Sequence, residues 1–313
     1  MMRVLGWMGL ALLSFSAIAI AGREAGRVLT TSELIFWRSL IGVAVLGAAY
    51  IWQGTERAGL RSKVWPLHGV RSVVHYAAQY AWLYALTLIP LAELFALEFT
   101  SPLWVALLAP LALGERLTGA RLGAAALGFC GALLVAEPGL LQGRWQITVS
   151  TGTAFAAASA VGFAASMILT KRLTRTEPAL RILFWMQTLQ GLIAAAILVG
   201  VAVHSGRGPV SLSGAVTAGT WGWVVALGLA GLGAHYGLTR AFSLADAVTV
   251  APLDFLRLPL IAGVGALVYG ERLGAGVVVG AAVVVVANLI NVWAEQRGRR
   301  ALIGNGSSRL TEK

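Results

Sequence analysis

Apolar runs of about 18 or more residues recur from one end of this chain to the other, each long enough to cross a bilayer as a helix. Stretches such as 274–289 (GAGVVVGAAVVVVANL) are almost continuously apolar. A spanning β-barrel would need strands of about ten residues that alternate apolar and polar side chains, so these runs exclude it. A helix satisfies its backbone groups internally, which hydrocarbon demands of anything that spans it. The runs therefore predict an all-α membrane protein. The charge content agrees: 12% of the 313 residues are charged, about half the share in a soluble globular protein. The 38 glycines suit helices that pack closely in lipid.

The predicted spans are 4–21, 33–53, 66–88, 91–112, 119–136, 151–170, 179–203, 219–242, 247–269 and 275–293, about ten transmembrane helices. Short connections hold the punctuation: Gly22 to Glu24, Gly54 to Arg57, Gly114 to Arg116, Glu137 to Gly139, Arg172 to Pro178, and Ser205 to Pro209. Arg3 followed by an apolar stretch mimics a secretory signal, but with nine further spans it reads as a retained first helix. From Glu295 the chain is basic and reads as a short frayed helix and then disorder.

The formal charge of +11 would suggest nucleic acid in a soluble protein. Here most basic residues fall between the apolar runs, so they report topology, and no nucleic-acid partner is expected. With the N-terminus in the cytoplasm, 14 Lys and Arg fall in cytoplasmic segments and 5 (Arg23, Arg27, Arg144, Arg207, Arg272) on the other side. Both termini are then cytoplasmic in the cell inner membrane, which an even number of spans requires. The single cysteine, Cys130, lies in an apolar run and reads as a small hydrophobe.

The sequence repeats itself. Leu97-Glu98-Phe99 matches Leu253-Asp254-Phe255, and Gly114-Glu115-Arg116-Leu117 matches Gly270-Glu271-Arg272-Leu273, both at an offset of 156 (271 − 115). The same offset sets Gln79-Tyr80 over His235-Tyr236, and a slightly different one sets Leu34 to Trp37 over Ile182 to Trp185. Two five-helix units are expected, 1–145 and 146–294, with a basic tail at 295–313. An odd number of helices per unit inverts the second in the membrane, the architecture of many secondary transporters.

The segment from Tyr84 to Leu134 resembles the EamA-type branch of the drug/metabolite transporter superfamily. The resemblance is carried by Ala85-Leu86, Ile89-Pro90, Pro102 and Gly114-Glu115-Arg116-Leu117, with Phe36-Trp37-Arg38 similar to the aromatic-Arg pattern of helix 2. It implies a carrier, nearest to metabolite and S-adenosylmethionine-type carriers, with amino-acid exporters as close relatives. One departure is that Pro259 sits one position beyond the place matching Pro102, so the two halves are expected to bend differently there.

Polar groups inside hydrocarbon face a cavity or a partner, because a charge at mid-membrane is costly. Arg38, His75, Glu98, His235, Asp254 and Arg257 are the ionisable candidates. His68, Arg71, His75, Gln79 and Trp82 recur at helical spacing and form one polar stripe. His68 and Arg71, at its cytoplasmic end, read as interfacial; His75 and Gln79 read as facing a cavity. Glu98 and Asp254 should flank the midplane, with two ion pairs expected, Arg38–Glu98 and Asp254–Arg257. An Arg for a carboxylate and an acid for an ammonium suit a zwitterion, and Trp37, Trp82, Trp104, Trp185, Tyr80 and Tyr236 are candidate stacking partners. Glu98, Asp254 or a histidine could also exchange protons as coupling ions.

Three functions compete. A carrier of a small polar metabolite, an amino acid or a derived zwitterion, would rock its repeats around a central site, with Pro90, Pro102 and Pro252 as candidate hinges. A lipid- or metabolite-modifying enzyme would show clustered acids or a His–acid pair at a membrane face; no such cluster, Walker loop or zinc spacing is visible. A channel would show a repeated filter sequence. The carrier is expected, with no cofactor, metal or catalytic residue, and Gly-Glu-Arg-Leu as a structural or gating element.

Overall fold

The computed structural model describes residues 2–52, 61–113, 118–143, 149–204, 217–244 and 253–308. Within them the helices are α1 (Met2–Ala25), α2 (Thr31–Trp52), α3 (Trp65–Leu86), α4 (Leu91–Glu98), α5 (Ser101–Leu113), α6 (Gly119–Ala136), α7 (Thr151–Leu173), α8 (Ala179–His204), α9 (Ala218–Leu244), α10 (Arg257–Tyr269) and α11 (Ala275–Ser308). A short 3-10 helix, Pro138–Gln142, follows α6. No strand occurs among the described residues. Gly54 to Arg57, Gly114 to Leu117, Arg144, Ser205 to Pro209, Pro252 and the chain beyond 308 lie outside them, so the expectations placed on these residues are not addressed by the fold.

Local chemistry sets the helix ends. Thr30 and Glu33 form a capping box at α2: the Thr30 amide donates to Glu33 Oε2 (2.7 Å) and the Glu33 amide to Thr30 Oγ1 (3.4 Å). Ser150 Oγ accepts from the Thr153 amide (3.1 Å) and starts α7. Among the described residues, seven segments are long and apolar enough to cross a membrane, one of them Leu91–Ala109, which takes in α4 and most of α5. The polar stripe of α3 lowers its hydropathy, and α10 is 13 residues long.

The expected fourth span is continuous, but it breaks at Phe99–Thr100. Pro102 has no amide hydrogen to return to the Glu98 carbonyl one turn back. The freed Glu98 carbonyl accepts the Ser101 hydroxyl instead (2.7 Å), and the Leu97 carbonyl accepts both the Thr100 amide (3.0 Å) and the Thr100 hydroxyl (2.7 Å). In the second half the turn falls at Phe255–Leu256. Shifted by the repeat offset, α5 falls on α10 at both ends, and the start of α6 falls on that of α11. The one-residue displacement of Pro259 therefore does not move the break, contrary to expectation; a proline is tolerated at either of these early helix positions. The tail also differs, since α11 runs on through Ser308. Its Glu, Gln and Arg residues are good helix formers and extend the turn already begun.

The packing is pairwise: α1 on α9, α3 on α7, α2 on α8, α6 on α11, and α4 on α10. Glycine sets the approach where α6 meets α11, because a Cβ on Gly131 would lie 2.7 Å from the Gly280 carbonyl oxygen. The core is centred on α4, whose Leu91, Leu94, Phe95 and Ala96 are wholly buried. Outward-facing Leu13, Val73, Leu192 and Val201 are more than half exposed, the surface a helix bundle offers to lipid rather than to water.

Candidate functional site

Two polar groups lie inside the bundle. The first forms where the α4–α5 break and the start of α10 meet. Glu98 ends α4; Trp82 Nε1 donates to its Oε2 (2.7 Å), and Arg257 Nη1 stands 3.4 Å from its Oε1. Arg257 Nη2 stands 3.5 Å from Asp254 Oδ2. Charge-assisted N–H···O bonds normally run to about 2.7–2.9 Å, so one guanidinium holds two carboxylates loosely. Asp254 Oδ1 and Arg257 Nε are buried without a hydrogen-bond partner among the described residues. Around the guanidinium stand Phe15 (4.0 Å), Phe99 (4.6 Å) and Phe95 (5.5 Å). Phe99 also meets Phe255, edge to face, at 5.3 Å, so the two break points touch.

The expected Asp254–Arg257 pair is present. The expected Arg38–Glu98 pair is not: α2 packs on α8 and α9, so Arg38 lies against Gly231 of α9, while Glu98 looks toward α3 and α10. An added Cβ on Gly231 would stand 3.3 Å from Arg38 Nε.

The second group runs along α2, α3, α7, α8 and α9. Arg38 is 7% exposed, and its Nε has no hydrogen-bond partner among the described residues. His75 Nδ1 meets Ser166 Oγ at 3.1 Å, and Arg71 Nε donates to Thr170 Oγ1 at 2.6 Å. Arg38, Arg71 and His235 all act electrostatically on His75. Gln79 Oε1, Gln187 Oε1 and both polar atoms of Gln190 are buried without a hydrogen-bond partner among the described residues. His68 and Arg71, expected at the interface, are buried among the helices, because the end of α7 covers that end of α3.

The aromatic candidates divide. Trp82 belongs to the first group. Trp37, its indole N–H buried without a hydrogen-bond partner among the described residues, packs edge to face on Trp221 at 4.6 Å. Tyr80 stacks in a column between Tyr76 and Tyr84. Trp185 packs on Trp65 at 4.3 Å, and Trp104 on Phe129 at 4.6 Å. Tyr236 is 56% exposed and lies on Trp7. It is therefore not brought to the polar groups, as a helical residue next to inward-facing His235 points about 100° away.

Sequence reasoning missed Gln187, Gln190, Ser166, Thr170 and Phe15. The two glutamines did carry a signal, polar residues three apart in an apolar helix. The hydroxyls and Phe15 carried none, since each is ordinary in a membrane helix.

Two further contacts join the ends of helices. Arg23, ending α1, donates from Nε to the Leu86 carbonyl (2.9 Å), from Nη2 to that of Ile89 (2.6 Å), and from Nη1 to Glu271 Oε1. Glu271 Oε2 accepts the Leu91 amide at 2.9 Å, capping α4. At the other end of the bundle, Ser62 donates to Glu177 Oε1 (2.7 Å), Arg181 to Glu177 Oε2 (2.6 Å), and Arg172 to the Ala112 carbonyl. Among the described residues, no three metal-ligating side chains cluster.

Residues 2–136 match the EamA-like transporter family. Over 278 residues the chain is 31% identical to the riboflavin transporter of Brucella anthropi, covering 88% of this chain and 93% of that one. It is 28% identical to the pseudopaline exporter of Pseudomonas aeruginosa (89% and 92% covered) and 24% identical to the S-adenosylmethionine uptake transporter of Rickettsia prowazekii (93% and 92% covered). A membrane bundle with buried charges left short of partners, alike over nearly its whole length to carriers of small molecules, is a secondary transporter of the drug/metabolite superfamily and no enzyme: the chain belongs to the EamA-like transporter family.

Proposed function

We propose that this carrier moves an amino acid, or a metabolite derived from one, as a zwitterion. The observation that carries the reading is the separation of opposite charge surpluses within one bundle. Glu98 and Asp254 outnumber Arg257 and leave a carboxylate oxygen without a hydrogen-bond partner among the described residues; Arg38 and its basic neighbours leave a guanidinium nitrogen likewise. A buried polar atom left unsatisfied costs about 1–3 kcal/mol. A ligand with one ammonium and one carboxylate would satisfy both groups.

The proposed working unit is a pair of inverted repeats, 1–145 and 146–294, rocking around this site by alternating access, with both termini cytoplasmic. The packing pattern supports it. Exchanging each of the first five spans for its partner five spans on turns α1–α9 into α7–α3, leaves α2–α8 and α6–α11 unchanged, and keeps the contact of α4 with α10 one between the fourth and ninth spans. A second reading, a planar heteroaromatic cargo, is favoured by the riboflavin transporter relative and by the Trp37–Trp221 pair, whose Trp37 indole N–H has no hydrogen-bond partner among the described residues.

Thermal stabilisation of the purified protein in detergent tests both. A ligand at 100 times its Kd adds about 2.7 kcal/mol, a readable rise in melting temperature. The expected result is stabilisation by amino acids, lost in Glu98→Gln and Arg38→Gln. Stabilisation by riboflavin and by no zwitterion would overturn the first reading in favour of the second.

A further inference from the structure

Arg257 is not placed as a structural arginine would be. Its guanidinium is almost fully buried, yet both of its carboxylate contacts are long, 3.4 Å to Glu98 and 3.5 Å to Asp254, and its Nε makes no hydrogen bond among the described residues. What surrounds it instead is the set of three phenyl rings, from α1, α4 and the α4–α5 turn. Aromatic faces with acids beside them are the surroundings a protein builds for an organic cation. Here the chain's own cation occupies them.

We infer that Arg257 is a resident counter-ion, seated in a cation subsite built from Phe15, Phe95, Phe99, Glu98 and Asp254, and that it sets both what the site accepts and how the carrier cycles. This rests on the zwitterion reading above. With Arg257 in place, two carboxylates and one guanidinium leave one negative charge. The subsite then accepts one further cationic group, an ammonium, against the bare Asp254 Oδ1. Binding brings the cluster to neutrality, while the substrate carboxylate takes up the unpaired donor of Arg38.

The count has a consequence for transport. A bundle that rearranges around buried charge must carry that charge through low-dielectric surroundings, and the cost climbs with each uncompensated unit. The empty wild-type cluster carries one unit, which leaves the return of the unloaded carrier open and makes net transport possible. Without Arg257 the empty cluster carries two units, and the loaded cluster one. The variant therefore rearranges when loaded and stalls when empty, which is the behaviour of an obligatory exchanger.

The test reconstitutes the full chain in liposomes and follows a mixture of tritiated L-amino acids. Uptake into vesicles without internal substrate reads net transport; uptake into vesicles preloaded with the unlabelled mixture reads exchange. Wild type is expected to do both. Arg257→Gln should lose net uptake at least about tenfold more than it loses exchange, since each 1.4 kcal/mol is a factor of ten in rate. Arg257→Lys, which keeps the charge, should retain net uptake. A ratio of net uptake to exchange that is the same in wild type and Arg257→Gln overturns the counter-ion role while the zwitterion reading stands. Wild-type vesicles that take up no amino acid in either mode overturn the zwitterion reading, and this inference with it.

Discussion

Two of the bundle's ion-paired groups differ in character, one at the helix ends and one at its centre. Arg23 and Glu271 are saturated: the guanidinium serves two carbonyls and a carboxylate, and the carboxylate serves the guanidinium and a helix-starting amide. Glu98, Asp254 and Arg257 are held at 3.4–3.5 Å with bare atoms left over. Side-chain burial is similar, 14% and 12% exposure in the first pair against 7–21% in the second group, so burial does not separate them. Completeness of hydrogen bonding does. A pair that only holds structure has no reason to leave donors and acceptors unused; a pair that must also admit a ligand has to.

The contrast is broken most severely at Arg23. Removing one partner of a largely buried pair costs about 3–5 kcal/mol, and here Arg23→Ala also strands the Leu86 and Ile89 carbonyls. We expect a fall in melting temperature larger than that of any single change at the centre. A melting temperature within a degree or two of wild type would show that the helix-end pair holds nothing together. Arg38→Met should do the reverse. It replaces an incompletely paired buried charge with an apolar chain of similar length, and such changes are often neutral or stabilising by about 1–4 kcal/mol. The protein should melt no lower than wild type and transport at least tenfold less; a large destabilisation would mean that Arg38 is a structural group after all.

A smaller effect tests how the saturated pair is positioned. Gly270 has a positive φ of 64°, and the Glu271 amide returns to the Gly265 carbonyl at 3.0 Å. The Glu271 carboxylate thereby folds back over Gly265, where a Cβ would collide with Oε2. Gly265→Ala should push the carboxylate off the Leu91 amide at a cost of about 1–3 kcal/mol, the range for overpacking a close contact. Unfolding in detergent, followed by α-helical circular dichroism, measures it. Stability equal to wild type would mean that the carboxylate has another seat.

Much of this fold was legible because hydrocarbon leaves few choices. Runs of the right length gave the spans, and matched motifs gave the offset of 156 at which α5 falls on α10. The break at Phe99–Thr100 was legible only in outline, since Pro102 announces a freed carbonyl but not that Ser101 and Thr100 will take up the acceptors. The central residues were legible as rare charges in apolar helices. Their partners were not, because Arg38 and Glu98 lie at similar depth on helices that do not pack together, and depth is all that one sequence provides. Gln187 and Gln190 were legible in principle by spacing; Phe15 was not, since an aromatic residue in an apolar helix has no mark of its role.

The smallest expected effect lies in the loop between α7 and α8, where Glu177 joins Ser62 and Arg181. Burial alone would raise its pKa, but the hydrogen bonds from Ser62 and Arg181 and the charge of Arg181 outweigh it and hold the carboxyl below its ordinary range. A group lowered on folding stabilises the fold fully above its unfolded pKa, about 4.3 for glutamate, and loses that contribution as pH falls through the folded value. Melting temperature in detergent, measured from pH 7 downward, should therefore hold steady and then decline below about pH 4.3. Glu177→Gln should start lower and decline less over that interval, since the amide has no proton to gain. If the two proteins decline in parallel, the acid sensitivity belongs to other carboxylates, and the Ser62–Glu177–Arg181 contact carries too little energy to count as the counterpart of Arg23–Glu271 at the opposite end of the bundle.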